Sequence, residues 1–193
     1  VSGLLCGDGG SATIVEKIDH ANPTYFSLNS DGAGSRIIWI KGGGYRHPSS
    51  AETLREKEHE DGSIRCDEQV AVDVAGFTDF ALREIPADMV HIFEYAGEDY
   101  EGIDFYLLHQ AAKFINDQIA KKMKIPQDKV PYSMHKFGNT SSVSIPLTMI
   151  SEIRDKLQRD KNRLFMSGFG AGLSWASAIT SIDRCIIPKL VEI

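Results

Sequence analysis

The stretch Ile103-Asp104-Phe105-Tyr106-Leu107-Leu108-His109-Gln110-Ala111 decides the fold class of this chain. Its first six residues form a short apolar run of the kind found in buried strands. Residues 110–123 then carry apolar side chains at every fourth position, which predicts a helix. A buried strand that passes directly into a helix is the unit from which layered α/β folds are built.

Further strands and helices are predicted on both sides of this unit. Strands are predicted at 11–18, 35–40, near 130–135, 164–167 and 173–179, and helices at 78–96, with an interruption at Pro86, and at about 142–158. Alternation of strands and helices indicates an α/β layered sheet. The two consecutive strands at the end make that sheet mixed, not purely parallel.

Composition and charge narrow the class of protein. The chain has 193 residues, of which 42% are hydrophobic and 25% charged, as in ordinary globular proteins. It has no apolar run near the ~20 residues of a membrane span and no signal-peptide pattern, so we expect a cytoplasmic protein that does not bind membranes. The net charge of −6 argues against nucleic-acid binding.

The cysteines do not form a pattern with a known structural use. Cys6, Cys66 and Cys185 are odd in number and show no CxxC spacing. This argues against a disulfide framework and against a zinc site, so no metal is expected. Sparse, unpaired cysteines also suit a reducing compartment.

Residues 41–69 interrupt the regular pattern. They contain Gly42-Gly43-Gly44, Pro48 and the charge run at 55–61. We interpret the segment as an exposed excursion that separates two parts of the fold. The charge run itself is typical of a solvated surface.

Three loops carry polar or glycine residues where chemistry could occur. His109 follows a buried strand, which is where α/β folds place their sites, although a hydrogen-bonded histidine at a helix start is the simpler alternative. Asn139 follows Gly138 and precedes hydroxyl residues and a helix, so an N-cap at Ser141 or Ser142 is the alternative there. The third loop, 168–172, has three glycines; a hairpin turn is its simplest explanation.

Six segments in this order and spacing resemble ketoacyl-ACP synthase III, across essentially the whole chain. They are Leu5-Cys6-Gly7-Asp8-Gly9, Asp31-Gly32, Leu108-His109-Gln110-Ala111, Gly138-Asn139-Thr140-Ser141, Ile145-Pro146-Leu147 and Gly168-Phe169-Gly170-Ala171-Gly172-Leu173-Ser174-Trp175. The resemblance implies the C-terminal portion of a thiolase-like α/β fold, with a mixed five-stranded sheet and helices on both faces. It also implies three parts: 1–45, the last strands of an N-terminal half; 46–69, a connecting excursion; and 70–193, the C-terminal domain.

The same resemblance implies a reaction and its residues. The family joins an acyl-CoA starter to malonyl-ACP by decarboxylative Claisen condensation in fatty acid biosynthesis, with thioester substrates and no cofactor. His109 and Asn139 match the family's catalytic pair and would donate N–H groups to the malonyl thioester oxygen. The active-site loop would be Phe169, Gly170 and Ala171, with Phe169 beside the nucleophile and the Ala171 N–H in an oxyanion hole.

The family's nucleophilic cysteine has no counterpart in this chain. It lies at a helix start in the N-terminal half, upstream of residue 1, and none of the three cysteines present matches its context. The resemblance therefore implies that these residues alone are inactive. Two alternatives remain open: a condensing enzyme of secondary metabolism, and a non-catalytic carrier-binding module, although a scaffold would need neither His109 nor Asn139.

Binding residues are implied less directly. Phe80 matches an aromatic residue at the pantetheine tunnel mouth, and Gln110 and Ala111 belong to the matched substrate-binding segment.

Acyl carrier protein is the implied partner, and the chain is expected to form a homodimer. The carrier-binding residues would be Lys113, Lys121 and Lys122. Lysines in the last turn of a helix also complement its dipole, which is the simpler alternative. Ala112 and Ala81 depart from the family's asparagine and lysine.

Overall fold

A computed structural model describes residues 5–17, 19, 22–59 and 62–191 of the chain. The chain forms two compact units. The first contains the residues up to Asn29, Phe80–Phe169 and the residues from Trp175 onward, and the second contains Ser30–Asp79 and Gly170–Ser174. The boundaries predicted at 45 and 70 concern the two halves of the family fold and remain predictions.

Eight strands and five helices are assigned in the described residues. The strands are β1 (Tyr25–Ser30), β2 (Ile38–Trp39), β3 (Lys57–Glu58), β4 (Ile64–Arg65), β5 (Ala71–Val72), β6 (Phe105–Leu108), β7 (Lys161–Gly170) and β8 (Ser174–Asp183). The helices are α1 (Val74–Ala96), α2 (Lys113–Lys122), α3 (Met134–Phe137), α4 (Ser144–Glu152) and α5 (Arg154–Arg159). None of these helices is long and apolar enough to cross a membrane.

The main sheet has the strand order β1-β8-β7-β6. β6 and β7 are parallel, with Phe105 opposite Leu164 and Leu108 opposite Ser167. Only three residues join β7 to β8, a connection that antiparallel neighbours allow and parallel ones do not. The mixed α/β sheet is therefore confirmed, although its described part has four strands instead of the five expected.

The core lies where β6 and β7 pack against helices. Leu107, Leu157 and Leu164 are fully buried in one cluster that Ile153 completes. A second group is aromatic and stacks around Phe165. Its members are Phe93, Tyr100, Tyr106 and Phe165. The buried Tyr106 hydroxyl donates to the Tyr100 carbonyl at 2.7 Å, so its polar end is satisfied.

Helix α1 runs unbroken through Pro86, so the interruption predicted there was wrong. Proline removes one backbone hydrogen bond and normally bends a helix. Here Pro86 lies on the buried face with Ile85 and Met89, and the packing of that face outweighs the lost bond. The helix also begins earlier than expected, at Val74.

Several predicted elements differ from the structure because sequence pattern does not identify a strand's partner. Residues 11–17 are not a strand, and Ile14 and Val15 are almost fully exposed; residue 18 lies outside the described part. β-branched residues favour strands only where a neighbouring strand accepts their backbone hydrogen bonds. Strand 35–40 shrinks to β2, which has β5 as its partner. β1 was not predicted, although apolar and polar residues alternate along it; its apolar Phe26 and Leu28 are exposed and Ser27 is buried.

Two further differences occur near the candidate site. Residues 130–135 contain no strand; a turn at Gln127–Lys129 and the short helix α3 occupy that region. The helix predicted at 142–158 is divided at Ile153 into α4 and α5. Ile153 leaves the helical conformation with φ of −129° and buries its side chain in the core.

The second unit consists mostly of turns and two short strand pairs. β2 pairs with β5 and β3 with β4. Asp67 is buried and bridged by Lys57 at 2.8 Å and Lys41 at 3.3 Å. The hydrogen bond from Lys57 is the main reason that the pKa of Asp67 lies below its usual value. The described part of the charge run, 55–59, is mostly exposed, and residues 60 and 61 lie outside the described part.

Asn116, on helix α2, allows the cost of a buried amide without hydrogen-bond partners to be measured. It is buried on α2, and both its amide oxygen and its amide nitrogen lack hydrogen-bond partners among the described residues. A buried polar group without hydrogen bonds costs about 1–3 kcal/mol. We expect Asn116→Leu to raise the free energy of unfolding by roughly 1–2 kcal/mol, measured by urea denaturation.

Asn162 is the matched control. It is equally buried but donates to the carbonyls of Lys156 and Asp160. Asn162→Leu should destabilise the protein. Equal losses of stability in the two variants would show that Asn116 is hydrogen bonded after all.

Candidate active site

His109 is held at the carboxyl end of β6. Its backbone N–H donates to the Ser167 carbonyl at 2.8 Å and so continues the ladder between β6 and β7 by one residue. The Nδ1 atom lies 2.8 Å from Ser144 Oγ. The ring of Phe169 meets the imidazole edge to face, with 5.5 Å between ring centres. Strands β6 and β7 and helix α4 therefore fix the position of the His109 imidazole.

Asn139 is fixed by the close approach of two backbone segments. The Asn139 N–H donates to the Leu5 carbonyl at 2.7 Å, and the Gly7 N–H donates to the Asn139 carbonyl at 3.0 Å. A side chain at Gly7 would overlap the carbonyl of Phe137, and Gly138 has φ of +68°. Both glycines are needed because any larger residue would separate the segments.

The side-chain amide of Asn139 has a defined orientation. Its Oδ1 accepts the Ser141 N–H at 2.8 Å. Because a backbone N–H can only donate, the oxygen must face Ser141 and the NH₂ group must point elsewhere. The group that Asn139 offers to a ligand is therefore a hydrogen-bond donor.

The loop that follows Asn139 contacts both side chains. The Ser141 N–H donates to Asn139 Oδ1 at 2.8 Å, and the Ser144 hydroxyl lies 2.8 Å from His109 Nδ1. Ser141 has φ of +53°, in the left-handed region that non-glycine residues seldom occupy. Such conformations persist where the surrounding structure enforces them, and they cluster at functional sites. The structure thus brings His109 and Asn139 to one loop, residues 139–144.

Burial sets the protonation state of His109. Loss of solvent lowers the pKa of His109 to about 4, and the hydrogen bond with the Ser141 backbone opposes this with a smaller effect. The ring is therefore neutral near pH 7. A neutral imidazole carries one N–H donor and one acceptor nitrogen.

This pKa predicts a pH dependence of stability. The unfolded chain protonates His109 near pH 6.5, whereas the folded chain does so only near pH 4. The contribution of His109 is therefore complete above pH 6.5 and is lost as the pH falls through 4, by about 2–3 kcal/mol. His109→Gln should reduce the fall in unfolding free energy between pH 7.5 and 4.5 by that amount.

The exposed His135 serves as the control for this measurement, with His135→Gln expected to leave the pH dependence unchanged. Equal pH dependence in the wild-type and His109→Gln proteins would mean that the imidazole is solvated in both states.

Gln110 ties the His109 segment to the Asn139 loop. It is 1% exposed; its Nε2 donates to the Leu108 carbonyl at 2.8 Å and its Oε1 accepts the Ser133 N–H at 3.0 Å. The Met134 N–H lies 3.4 Å from the same oxygen. Both ends of the side chain are thus used within the protein, and the substrate contact implied for Gln110 remains a prediction.

The other residues of the predicted site lie in several places. Phe169 is beside His109, and Ala111 is partly buried. Phe80 is 2% exposed and meets Trp175 edge to face at 5.4 Å. Gly170 and Ala171 belong to the second unit, where the turn that follows β7 is held by paired backbone hydrogen bonds between Asp31 and Leu173. Their assigned roles remain predictions.

The three lysines lie on helix α2 and are exposed. Lys113 forms an ion pair with Asp117 at 2.6 Å. Lys122 donates to the Leu82 carbonyl at 2.9 Å. Lys121 is in the last turn, where a cation also complements the helix dipole. The geometry is compatible with carrier binding and with simple solvation.

Sequence reasoning missed Ser144, whose hydroxyl contacts the His109 ring from 35 residues away. It also expected Ser141 or Ser142 to cap a helix, whereas Ser141 acts through its backbone and the residue before α4 is Val143. The available signal was a hydroxyl residue in the first turn of the helix after Asn139. Cys6 also lies nearer the site than expected, in a backbone bridge with Asn139.

Comparison with known proteins identifies a matching family. Residues 93–182, which include His109, Asn139 and Phe169, match the family described as 3-Oxoacyl-[acyl-carrier-protein (ACP)] synthase III C terminal. Over these residues, this chain is similar to the C-terminal domain of the 3-oxoacyl-ACP synthase III family.

Relatives within the synthase III family match almost the whole chain. The beta-ketoacyl-[acyl-carrier-protein] synthase III of Synechococcus sp. (strain WH7803) is 33% identical over 176 residues, which cover 91% of this chain and 50% of the relative. That of Streptococcus uberis is 32% identical over 182 residues, or 93% of this chain and 52% of the relative. The chain thus spans about half the length of the synthases that it matches.

Solved structures of synthase III agree with this fold. A crystal structure of a 3-oxoacyl-(acyl-carrier-protein) synthase III superimposes with a TM-score of 0.75 at 34% identity, covering 89% of this chain and 50% of that one. The synthase of Burkholderia xenovorans LB400 gives a TM-score of 0.74 at 33% identity, covering 83% and 44%. The thiolase-like fold is confirmed.

Proposed function

We propose that this chain provides the decarboxylation site of a 3-oxoacyl-ACP synthase III that acts in fatty acid biosynthesis. The observation that carries the proposal is that both side chains contact the same loop: Asn139 Oδ1 accepts the Ser141 N–H at 2.8 Å, and His109 Nδ1 lies 2.8 Å from Ser144 Oγ. Two side chains held by one loop can direct their donors at one substrate atom.

The proposed reaction needs hydrogen-bond donors to the thioester oxygen and needs no cofactor. The bond between the malonyl α-carbon and its carboxylate breaks, CO₂ leaves, and the electron pair moves onto the thioester oxygen as an enolate. N–H groups from neutral His109 and from Asn139 stabilise the charge that grows on this oxygen. The α-carbon then attacks the acyl thioester of an enzyme cysteine; the new carbon–carbon bond forms, the acyl C–S bond breaks, and the cysteine leaves as a thiolate. A preorganised donor contributes roughly 3–4 kcal/mol to such a step.

We further propose that the nucleophilic cysteine belongs to the half of the synthase that this chain does not match. Acyl-CoA and malonyl-ACP would be the substrates. Acyl carrier protein would bind α2 through Lys113, Lys121 and Lys122, and the complete enzyme would be a cytoplasmic homodimer. Phe80, Gln110 and Ala111 would line the substrate channel, and Phe169, Gly170 and Ala171 the acyl-transfer side.

A composite chain tests the proposed function. The N-terminal half of the Synechococcus synthase, joined in front of these residues, restores the length of a complete family member. We expect the composite to form 3-oxoacyl-ACP from acyl-CoA and malonyl-ACP, detected by mass spectrometry. A folded composite that binds both substrates but releases no CO₂ would refute the proposal.

The isolated chain gives a complementary prediction. We expect it to form no 3-oxoacyl-ACP, because it lacks the proposed acyl acceptor. The assay should include Cys6→Ala, since Cys6 lies in a backbone bridge with Asn139. Product formed by the chain but not by Cys6→Ala would show that Cys6 accepts the acyl group and that our placement of the nucleophile is wrong.

A further inference from the structure

We infer that Ser144 is a positioning residue whose hydroxyl holds His109 in the tautomer with its proton on Nε2. The inference deepens the proposed function, because only in this tautomer is the ring's N–H on the nitrogen that does not face Ser144. The tautomer itself is a property of the chain and does not depend on the reaction.

The contact is short, buried and made by a rigid element. Ser144 is the first residue of α4, is 2% exposed, and places Oγ 2.8 Å from His109 Nδ1. The edge-to-face contact with Phe169 restricts rotation of the ring. Ser144 Oγ and His109 Nδ1 are therefore held within hydrogen-bonding distance of each other.

A count of protons and lone pairs decides which atom donates. The backbone N–H of Gln110 lies 3.4 Å from Ser144 Oγ and can only donate to it. The Ser144 hydroxyl then has its own proton to place, and among the described residues its remaining hydrogen-bond partner is His109 Nδ1. Because Nδ1 accepts this proton, the ring's own proton must be on Nε2.

The opposite tautomer leaves a polar group unsatisfied. If Nδ1 carried the proton and donated to Ser144, the proton of the buried Ser144 hydroxyl would have no acceptor among the residues that the structure describes. Buried hydroxyls without partners are unfavourable, and native proteins seldom contain them. The hydrogen bonds of Ser144 therefore favour the Nε2–H form.

Further buried hydroxyls fix the first turn of α4. Thr148 Oγ1 donates to the Ser144 carbonyl at 2.7 Å. Ser133 and Thr148 share a hydrogen bond of 2.6 Å between their hydroxyls. Ser133 is also bound to Gln110 through its backbone N–H. This network connects the segment after β6 with α4, so Ser144 cannot shift independently of His109.

Nitrogen NMR measures the tautomer directly. The 193-residue chain is labelled with ¹⁵N-histidine, and two-bond ¹H–¹⁵N correlations are recorded at pH 7; the spectrum of His109→Gln identifies the His109 signals. We expect a protonated Nε2 and an unprotonated, hydrogen-bonded Nδ1 in the wild type. A wild-type ring with its proton on Nδ1 overturns the inference without any Ser144 variant.

Variants then test the role of the hydroxyl. Ser144→Ala should shift the His109 signals toward a mixture of tautomers, whereas Ser144→Thr, which keeps the hydroxyl, should retain the wild-type pattern. Ser142→Ala is the matched control, since Ser142 is exposed in the same loop. Unchanged signals from the other histidines report an intact fold. A Ser144→Ala spectrum identical to that of the wild type would contradict the inference.

The composite chain adds a catalytic readout that separates the two proposals. We expect Ser144→Ala to lower kcat roughly 10–100-fold with little change in KM, and Ser144→Thr to restore it. If His109→Ala has no effect on CO₂ release, the proposed function fails, while the tautomer measurement still stands. If His109→Ala is inactive but Ser144→Ala keeps full kcat, the positioning role fails instead.

Discussion

His109→Ala in the composite chain is expected to slow CO₂ release from malonyl-ACP by roughly 10²–10³-fold, because one preorganised donor to the enolate oxygen is lost. KM should change little, since the interaction strengthens mainly as charge develops. The measurement is the rate of CO₂ release from labelled malonyl-ACP. His135→Ala, which removes an exposed imidazole that stacks on Tyr132, should keep the wild-type rate.

Asn139 allows a sharper form of the same test. Asn139→Asp keeps Oδ1 as acceptor for the Ser141 N–H, so the loop geometry is preserved while the donor is removed. We expect a loss of roughly 10²–10³-fold, similar to that of His109→Ala. If Asn139→Asp retains the wild-type rate, the amide is structural and the two-donor account is wrong.

Gln110→Leu is expected to be the most destabilising of the substitutions considered at the site. It leaves the Leu108 carbonyl and the Ser133 N–H without their partners in a buried region. Each buried group left unpaired costs about 1–3 kcal/mol, while the apolar replacement regains part of the loss. We expect the free energy of unfolding to fall by about 3 kcal/mol.

Gln118→Leu on α2 is the matched control, because Gln118 is only partly buried. Urea denaturation of both variants gives the comparison. A change below about 0.5 kcal/mol for Gln110→Leu would mean that the loop around Ser133 finds other partners and that Gln110 does not hold the site together.

Local pattern predicted those parts of the fold that depend on local residues. The apolar run before His109 and the four-residue spacing after it correspond to β6 and α2. The glycine turn predicted at 168–172 was only partly right, because residues 168–170 belong to β7 and only residues 171–173 separate β7 from β8. Strands that depend on a distant partner were less predictable. Residues 11–17 have strand composition but are not assigned to any strand in the described part of the chain, whereas β1 was not predicted and pairs with β8.

In the candidate site, too, residues marked by a local sequence signal were predicted, and residues whose role depends on distant contacts were not. His109 and Asn139 were predicted because each follows a recognisable local signal and matches a family motif. Ser144 was not, because its role arises only when α4 packs beside the end of β6. The left-handed conformation of Ser141 was equally hidden, since it is imposed by the surrounding loop and is not preferred by serine.

The central claim is that His109 and Asn139 donate to one substrate oxygen. A crystal structure of the composite chain with a malonyl-pantetheine analogue that cannot lose CO₂ tests this most directly. The account predicts the thioester oxygen roughly 2.7–3.1 Å from both His109 Nε2 and Asn139 Nδ2. A thioester oxygen that contacts only one of these atoms, or neither, would contradict it.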